Sequence, residues 1–175
     1  MALINVEIKA RCKNPDKIRK ILKEKNADFK GMDHQIDTYF KCENGRLKLR
    51  EGNIENNLIY YDRENRPGPK KADIILYKPG PDSSGTDSSL KEILEKSLGI
   101  LAVTDKNREI YFIDNVKFHI DIVKNLGSFV EIEAIDRLGN IGEEKLYEQC
   151  RGYMDLFGIK DKDLMSTSYS DMILK

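Results

Sequence analysis

The chain has 175 residues, three cysteines, and lysine plus arginine equal to aspartate plus glutamate at 30 each, which supports one sizeable core over residues 1–175 and is short for two domains. The charge balance argues against generic attraction to nucleic acid or membrane. No apolar run approaches the roughly 18 residues of a membrane span, and Met1 to Ile4 run straight into a strand instead of a basic, apolar leader, so a soluble cytoplasmic protein is expected. Cys12, Cys42 and Cys150 are far apart and lack CxxC spacing, so they read as reduced structural thiols, not as a disulfide frame or zinc site.

Residues 4–10 alternate, with Ile4, Val6, Ile8 and Ala10 on one face and Asn5, Glu7 and Lys9 on the other, and a period of two is the signature of a strand. Asn14 before Pro15 predicts a capped helix start, and Ile18, Ile21 and Leu22 supply the apolar stripe of a short helix ending near Asn26. Residues 35–40 predict a second strand. Beyond the turn residues Glu43, Asn44 and Gly45, the run Arg46-Leu47-Lys48-Leu49-Arg50 sets three cations on one face against two leucines. A polar turn over 52–57 leads into the return strand of a hairpin at 58–63, with Ile59, Tyr61 and Arg63 on one side.

Residues 65–69 break the pattern, and 72–78 predict a strand that ends in a mobile loop over 79–87, rich in Pro, Gly, Ser and Asp. Ser89 with Glu92 fits a capping box for a second helix, with Leu90, Ile93, Leu94 and Leu98 inside and Gly99 as the stop. Strand character resumes over 103–113, where Lys106 and Arg108 lie two apart. Residues 117–122 and 129–134 then alternate around the hairpin residues Asn125, Leu126 and Gly127, so Asp121, Glu131 and Glu133 can converge on one face of an antiparallel pair. A third helix is expected over 143–157, with Leu146, Cys150, Tyr153 or Met154, and Phe157 at helical spacing. The short amphipathic end, 168–174, carries no assignment.

This order describes an α+β chain with a largely antiparallel sheet, one face of which is aliphatic and the other charged. Two architectures compete. An open sheet would pack helices on its aliphatic face and leave the charged one in water. A closed barrel would carry the helices outside and line its lumen with acids in one part and bases in another. Like charges ~4 Å apart repel by about 4 kcal/mol at an effective dielectric near 20, so clustered Lys48, Arg50, Lys106 and Arg108 would favour a polyanion, and clustered carboxylates a divalent cation.

The same residues resemble the CYTH family of triphosphate tunnel metalloenzymes, which includes class IV adenylate cyclases, thiamine triphosphatases and inorganic triphosphatases. Asn5-Val6-Glu7-Ile8-Lys9 is similar to the family's E-x-E-x-K strand, and Arg46 to Arg50 to its basic second motif. Lys106 with Arg108 resembles the later basic pair, and Asp121 with the run from Leu126 to Glu133 resembles the D…LG-x-F-x-E-x-E segment. The match spans nearly the whole chain.

The resemblance implies a closed eight-stranded antiparallel β-barrel with helices packed on its outside. It implies Mg²⁺ or Mn²⁺ on Glu7, Glu131, Glu133 and, weakly, Asn5. A triphosphate (ATP, thiamine triphosphate or tripolyphosphate) would lie on Lys9, Arg46, Lys48, Arg50, Arg63, Lys106 and Arg108, with Lys9, Arg50, Lys106, Arg108 and Asp121 as the catalytic set. Dimers occur among related proteins, which suggests a homodimer. Two departures matter: Asn5 replaces the first glutamate of the signature, which removes a charge from the metal site, and Tyr61 stands where a lysine is expected, with Arg63 two residues on as either its substitute or a solvent-exposed strand end. His119 shares the Asp121 face and reads as a hydrogen-bonded, non-catalytic group, while His34 reads as a surface residue. The expected activity is cyclisation of ATP or hydrolysis of a triphosphate. The alternatives are a non-catalytic binder of a phosphorylated small molecule and a scaffold whose charges serve solubility.

Overall fold

The computed structural model describes residues 3–63, 65–78 and 88–175, so the loop expected over 79–87 lies outside the described residues. The strands are β1 (Leu3–Arg11), β2 (Asp28–Phe40), β3 (Arg46–Gly52), β4 (Asn57–Arg63), β5 (Lys70–Tyr77), β6 (Ile100–Ile113), β7 (Val116–Val123) and β8 (Gly127–Asp136). They close in the order β1-β5-β4-β3-β2-β6-β7-β8, with β8 returning to β1 and every pairing antiparallel. Closure decides between the two architectures. Side chains that alternate along each strand are divided between a lumen and an outer surface, not between a core and bulk water.

The aliphatic outer faces of β1, β7 and β8 make the main core. Val6, Ile8, Phe118, Ile120, Val130 and Ile132 pack there against helices α1 (Pro15–Glu24) and α3 (Glu143–Phe157), which contribute Ile18, Leu22, Leu146, Cys150 and Phe157. Phe118 meets Tyr153 and Phe157 edge-on, with ring centroids 4.7 and 5.6 Å away. Burying each such side chain stabilises by about 1.5–3 kcal/mol. At the start of α1, Asn14 accepts a hydrogen bond from the Lys17 amide and Pro15 occupies the first turn, so the local sequence and the packing agree.

Helix α2 (Ser88–Leu98) departs from expectation. It starts one residue before Ser89, and of its expected inner stripe Ile93 is 60% exposed and Leu98 is also exposed. Lys91 pairs with Glu51 at 2.6 Å, and Leu90 and Leu94 of the expected stripe are half-buried, so the helix rests on the barrel through part of its apolar face only. Strand β2 is longer than its pattern suggested, because the glycine and charges of 28–34 disguise it. They pair with β6 through a register shift between Phe29 and Gly31, where Gly31 takes a φ of 127° that favours glycine.

The C-terminal end forms the short helix α4 (Tyr169–Ile173), capped by Ser168 and packed beside β6. Met165 N donates to the Lys9 carbonyl and Lys70 Nζ to the Met165 carbonyl, so this segment is laced to β1 and β5 at the barrel end that holds the start of β3. Among the described residues no helix is long and apolar enough to cross a membrane.

Candidate active site

Inward-pointing residues from all eight strands line a cavity in the lumen. It has a basic side, an acidic side and an apolar wall. Each arises from the period-two pattern of two or three strands.

The basic side is built around a residue absent from the motifs, Asp37 on β2. Its carboxylate is fully buried and accepts from Lys48 Nζ at 2.9 Å, from Arg50 Nε and Nη2 at 2.8 and 2.9 Å, and from Lys106 Nζ at 2.8 Å. Burial alone would raise the Asp37 carboxyl, but Arg50, Lys106 and Lys48 hold it well below the usual carboxylate range. Lys106 answers in the opposite sense. Its burial, opposed by Asp37 but reinforced by Arg50, Arg108 and Lys48, brings its ammonium down to about 7.

Across the barrel, β7 and β8 set His119 opposite Glu131 and Lys117 opposite Glu133. Donor atoms of His119, Glu131 and Glu133 lie within 4.8 Å of one another. His119 Nδ1 is 3.1 Å from Glu131 Oε2 and 3.6 Å from Glu133 Oε1. Burial and the neighbouring Arg108 lower the imidazole's affinity for a proton, so the neutral ring gives its Nδ1 hydrogen to Glu131 and leaves a lone pair on Nε2. That Nε2 and the Oδ1 of Asn5 are buried without a hydrogen-bond partner, and both residues line the cavity. Two carboxylates, an imidazole and an orphaned amide oxygen are a donor set that fits a divalent cation.

Between the two sides stands Arg108. It donates through Nε and Nη2 to Asp121 at 2.7 and 2.5 Å and through Nη2 to Glu131 at 2.9 Å. Lys9 pairs with Glu131 at 3.1 Å and lies 3.7 Å from the centre of the Tyr169 ring. Tyr169 donates to Asp121 Oδ2 at 2.7 Å, and with Ser168 it reaches the cavity lining, so α4 stops that end of the barrel. Ile59, Ile74, Leu76 and Ile135 form the apolar wall.

The family model of the CYTH domain matches residues 3–169 of the chain. The chain belongs to the CYTH domain family. The domain is similar, at 26% identity over 97% of this chain and 98% of the other, to a protein of Methanocaldococcus jannaschii named "putative adenylate cyclase". Its fold matches a crystal structure from Vibrio parahaemolyticus with the same description at a TM-score of 0.76, 16% identity and full coverage of both chains. It also matches a Hippeastrum protein, described as a "putative adenylyl cyclase" that reveals a dominant triphosphatase activity, at a TM-score of 0.58 and 14% identity over 97% of this chain and 94% of that one.

Most of the residues expected at the CYTH site face the cavity: Asn5, Glu7, Lys9, Lys48, Arg50, Arg63, Lys106, Arg108, Glu131 and Glu133. Two stand elsewhere. Arg46, first on β3, turns to Asn65 and to Asp171 of α4, at 3.1 Å each, and is not in the cavity lining. Asp121 lies behind Arg108, bonded to it and to Tyr169, which makes it an orienting group and not a lining one. Glu7 is ion-paired with Arg63, so Arg63 does reach the lumen from β4. His119, expected to be a bonded bystander, is bonded and also belongs to the donor cluster. His34 is on the outside, 2.8 Å from Asp105. Asp37, Glu55, Lys117 and Tyr169 were not anticipated. The first had a visible signal, since Asp33, Gln35, Asp37 and Tyr39 alternate on β2, but their neighbours are also largely polar and the pattern is blurred.

Proposed function

We propose that this CYTH domain is a metal-dependent enzyme that acts on a triphosphate held inside its barrel, with Mg²⁺ or Mn²⁺ as the ion. The observation that carries this reading is the convergence, in one lumen, of the His119, Glu131 and Glu133 donors with the basic cluster of Lys48, Arg50 and Lys106. A divalent ion on those donors, with Glu7 and Asn5 on the neighbouring strand, would screen phosphate charge and polarise a P–O bond.

The chain's own residues do the rest. Lys48, Arg50 and Lys106 hold phosphate oxygens and keep the chain in line for displacement. Arg108, fixed in plane by Asp121, offers N–H groups to a phosphoryl group as its charge grows. Tyr169 and Ser168 exclude water from the far end. The wall of Ile59, Ile74, Leu76 and Ile135 would serve an organic group and gives bare tripolyphosphate nothing to hold, which favours an ester such as ATP or thiamine triphosphate. With ATP, attack of the ribose 3′-oxygen on the α-phosphorus yields cyclic AMP and pyrophosphate. Water at the terminal phosphorus yields hydrolysis instead. The relatives' names carry both activities.

Assay of the purified protein with ATP, thiamine triphosphate and tripolyphosphate, with Mg²⁺ and Mn²⁺ supplied separately, tests this reading, and turnover of at least one that is abolished in Glu133→Ala supports it. A second reading, a binder without turnover, is favoured by Asn5 in the signature and by the Arg63 that occupies Glu7. Binding of a triphosphate with no product from any of the three would support that one.

A further inference from the structure

The turn between β3 and β4 places an acid in the lumen that no motif requires. Glu55 lines the cavity; its Oε1 accepts from Lys117 Nζ at 2.5 Å, and its Oε2 accepts from Arg50 Nη1 at 2.9 Å and Gln35 Nε2 at 3.2 Å. The backbone of this turn is clamped. Buried Asp33 accepts from the amides of Ile54 and Glu55, and Gly52 approaches it so closely that an added Cβ would come to 2.7 Å from its carboxylate. Beyond that clamp, the Glu55 side chain can leave by rotating about its own bonds, whereas Asp37 sits on a strand and is fully buried.

Charge supplies the second half of the argument. Eight Lys and Arg side chains line the cavity with four carboxylates, and Asp37 and Asp121 stand just behind them. The cations of the basic side are already paired: Arg50 with Asp37 and Glu55, Lys48 and Lys106 with Asp37, and Lys117 with Glu55. A tetra-anionic chain entering such a lumen must take cations from internal partners. Glu55 is the partner carried by a turn. Arg50 would keep two bonds to Asp37 after losing it, and Lys117 would be released entirely for a new anion.

We propose that Arg50 and Lys117 form an anion subsite for a phosphate group of the substrate, and that the carboxylate of Glu55 fills this subsite until the phosphate displaces it. The proposal rests on the triphosphate reading above and adds Lys117 to the binding set. Lys117 lies opposite Glu133 in register, so the phosphate that displaces Glu55 lies beside the metal donors. Protonation does not release Glu55: although burial opposes it, Lys117 and Arg50 hold the carboxyl below its ordinary range. Displacement must therefore be by a competing anion.

The test is isothermal titration with tripolyphosphate of the wild type, Glu55→Gln and Lys117→Gln. Glutamine keeps the shape of Glu55 and an oxygen for Lys117 while removing the competing charge, so Glu55→Gln should bind roughly tenfold or more tightly and Lys117→Gln correspondingly more weakly. Equal or weaker binding by a folded Glu55→Gln overturns the proposal and leaves the triphosphate reading intact. Absence of binding by the wild type and Glu55→Gln alike overturns both. A crystal structure of the wild type with tripolyphosphate needs no variant: Lys117 on a phosphate oxygen supports the subsite, and Glu55 still seated on Lys117 and Arg50 rejects it.

Discussion

Asp37 of β2 and Lys106 of β6 meet at 2.8 Å with both side chains completely excluded from solvent. A buried ion pair is costly to form and more costly to break from one side, because the survivor keeps a charge with no partner. Here the survivors would be three cations. Asp37→Asn should destabilise the fold by about 3–5 kcal/mol, read as a lower urea midpoint. Tripolyphosphate should recover more stability in the variant than it adds to the wild type, since it supplies the missing negative charge.

Lys106 sets a pH dependence. Its ammonium, brought down to about 7 by burial, is largely neutral at pH 8 to 9 in the folded protein, while in the unfolded chain it stays protonated to ~10.4. The unfolded state then binds more protons over that window, so this group makes the ligand-free protein more stable as pH rises from 7 toward 9. Lys70, also brought to about 7, acts in the same direction. Phosphate binding runs the other way, because it recharges Lys106. Titrations with tripolyphosphate in buffers of different ionisation enthalpy should show proton uptake at pH 8, and Lys106→Arg, which does not titrate there, should lose the Lys106 share of it.

An imidazole beside two carboxylates changes which ion the site prefers. Oxygen donors suit Mg²⁺ and Mn²⁺ alike, whereas a nitrogen donor favours Mn²⁺. His119→Asn should weaken Mn²⁺ binding by about tenfold and leave Mg²⁺ nearly unchanged. Electron paramagnetic resonance of free Mn²⁺, with Mg²⁺ as competitor, reads both affinities without an activity assay.

Tyr169 ties α4 to the site through its bond to Asp121. Tyr169→Phe keeps the ring over Lys9 and the contact with Phe129, 5.0 Å between centroids, but removes a donor from a buried carboxylate. A loss of about 1–3 kcal/mol in unfolding free energy is expected. Turnover should fall with it, since Asp121 then holds Arg108 less firmly.

How much of this could be read from the chain depends on where each residue sits. Strands whose alternation is clean, such as 4–10 and 129–134, revealed their lumen side at once, because period two allows only two faces. Arg46 shows the limit of that logic. It shares a face with Lys48 and Arg50 by parity, yet at the first position of β3 it passes beyond the barrel rim and meets Asp171, a partner more than a hundred residues away. Glu55 lay in a polar turn that reads as solvated, and only barrel closure turns that corner into the lumen. The five residues of α4 are too short for local preference to decide, and tertiary contacts with Lys9, Asp121 and Arg46 make the helix. In α2 the helical period was right, but the inference of burial failed for Ile93 and Leu98, for amphipathic spacing says which face is apolar and nothing about what covers it.

The most direct measurement is calorimetric titration of the wild-type protein with tripolyphosphate, with and without Mn²⁺, beside Glu133→Gln and Arg50→Ala. Acids and bases that share one lumen predict tight binding when the ion is present, loss of the Mn²⁺ enhancement in Glu133→Gln, and weak binding in Arg50→Ala with or without the ion. No binding by the wild type, or equal binding by all three proteins, would contradict it.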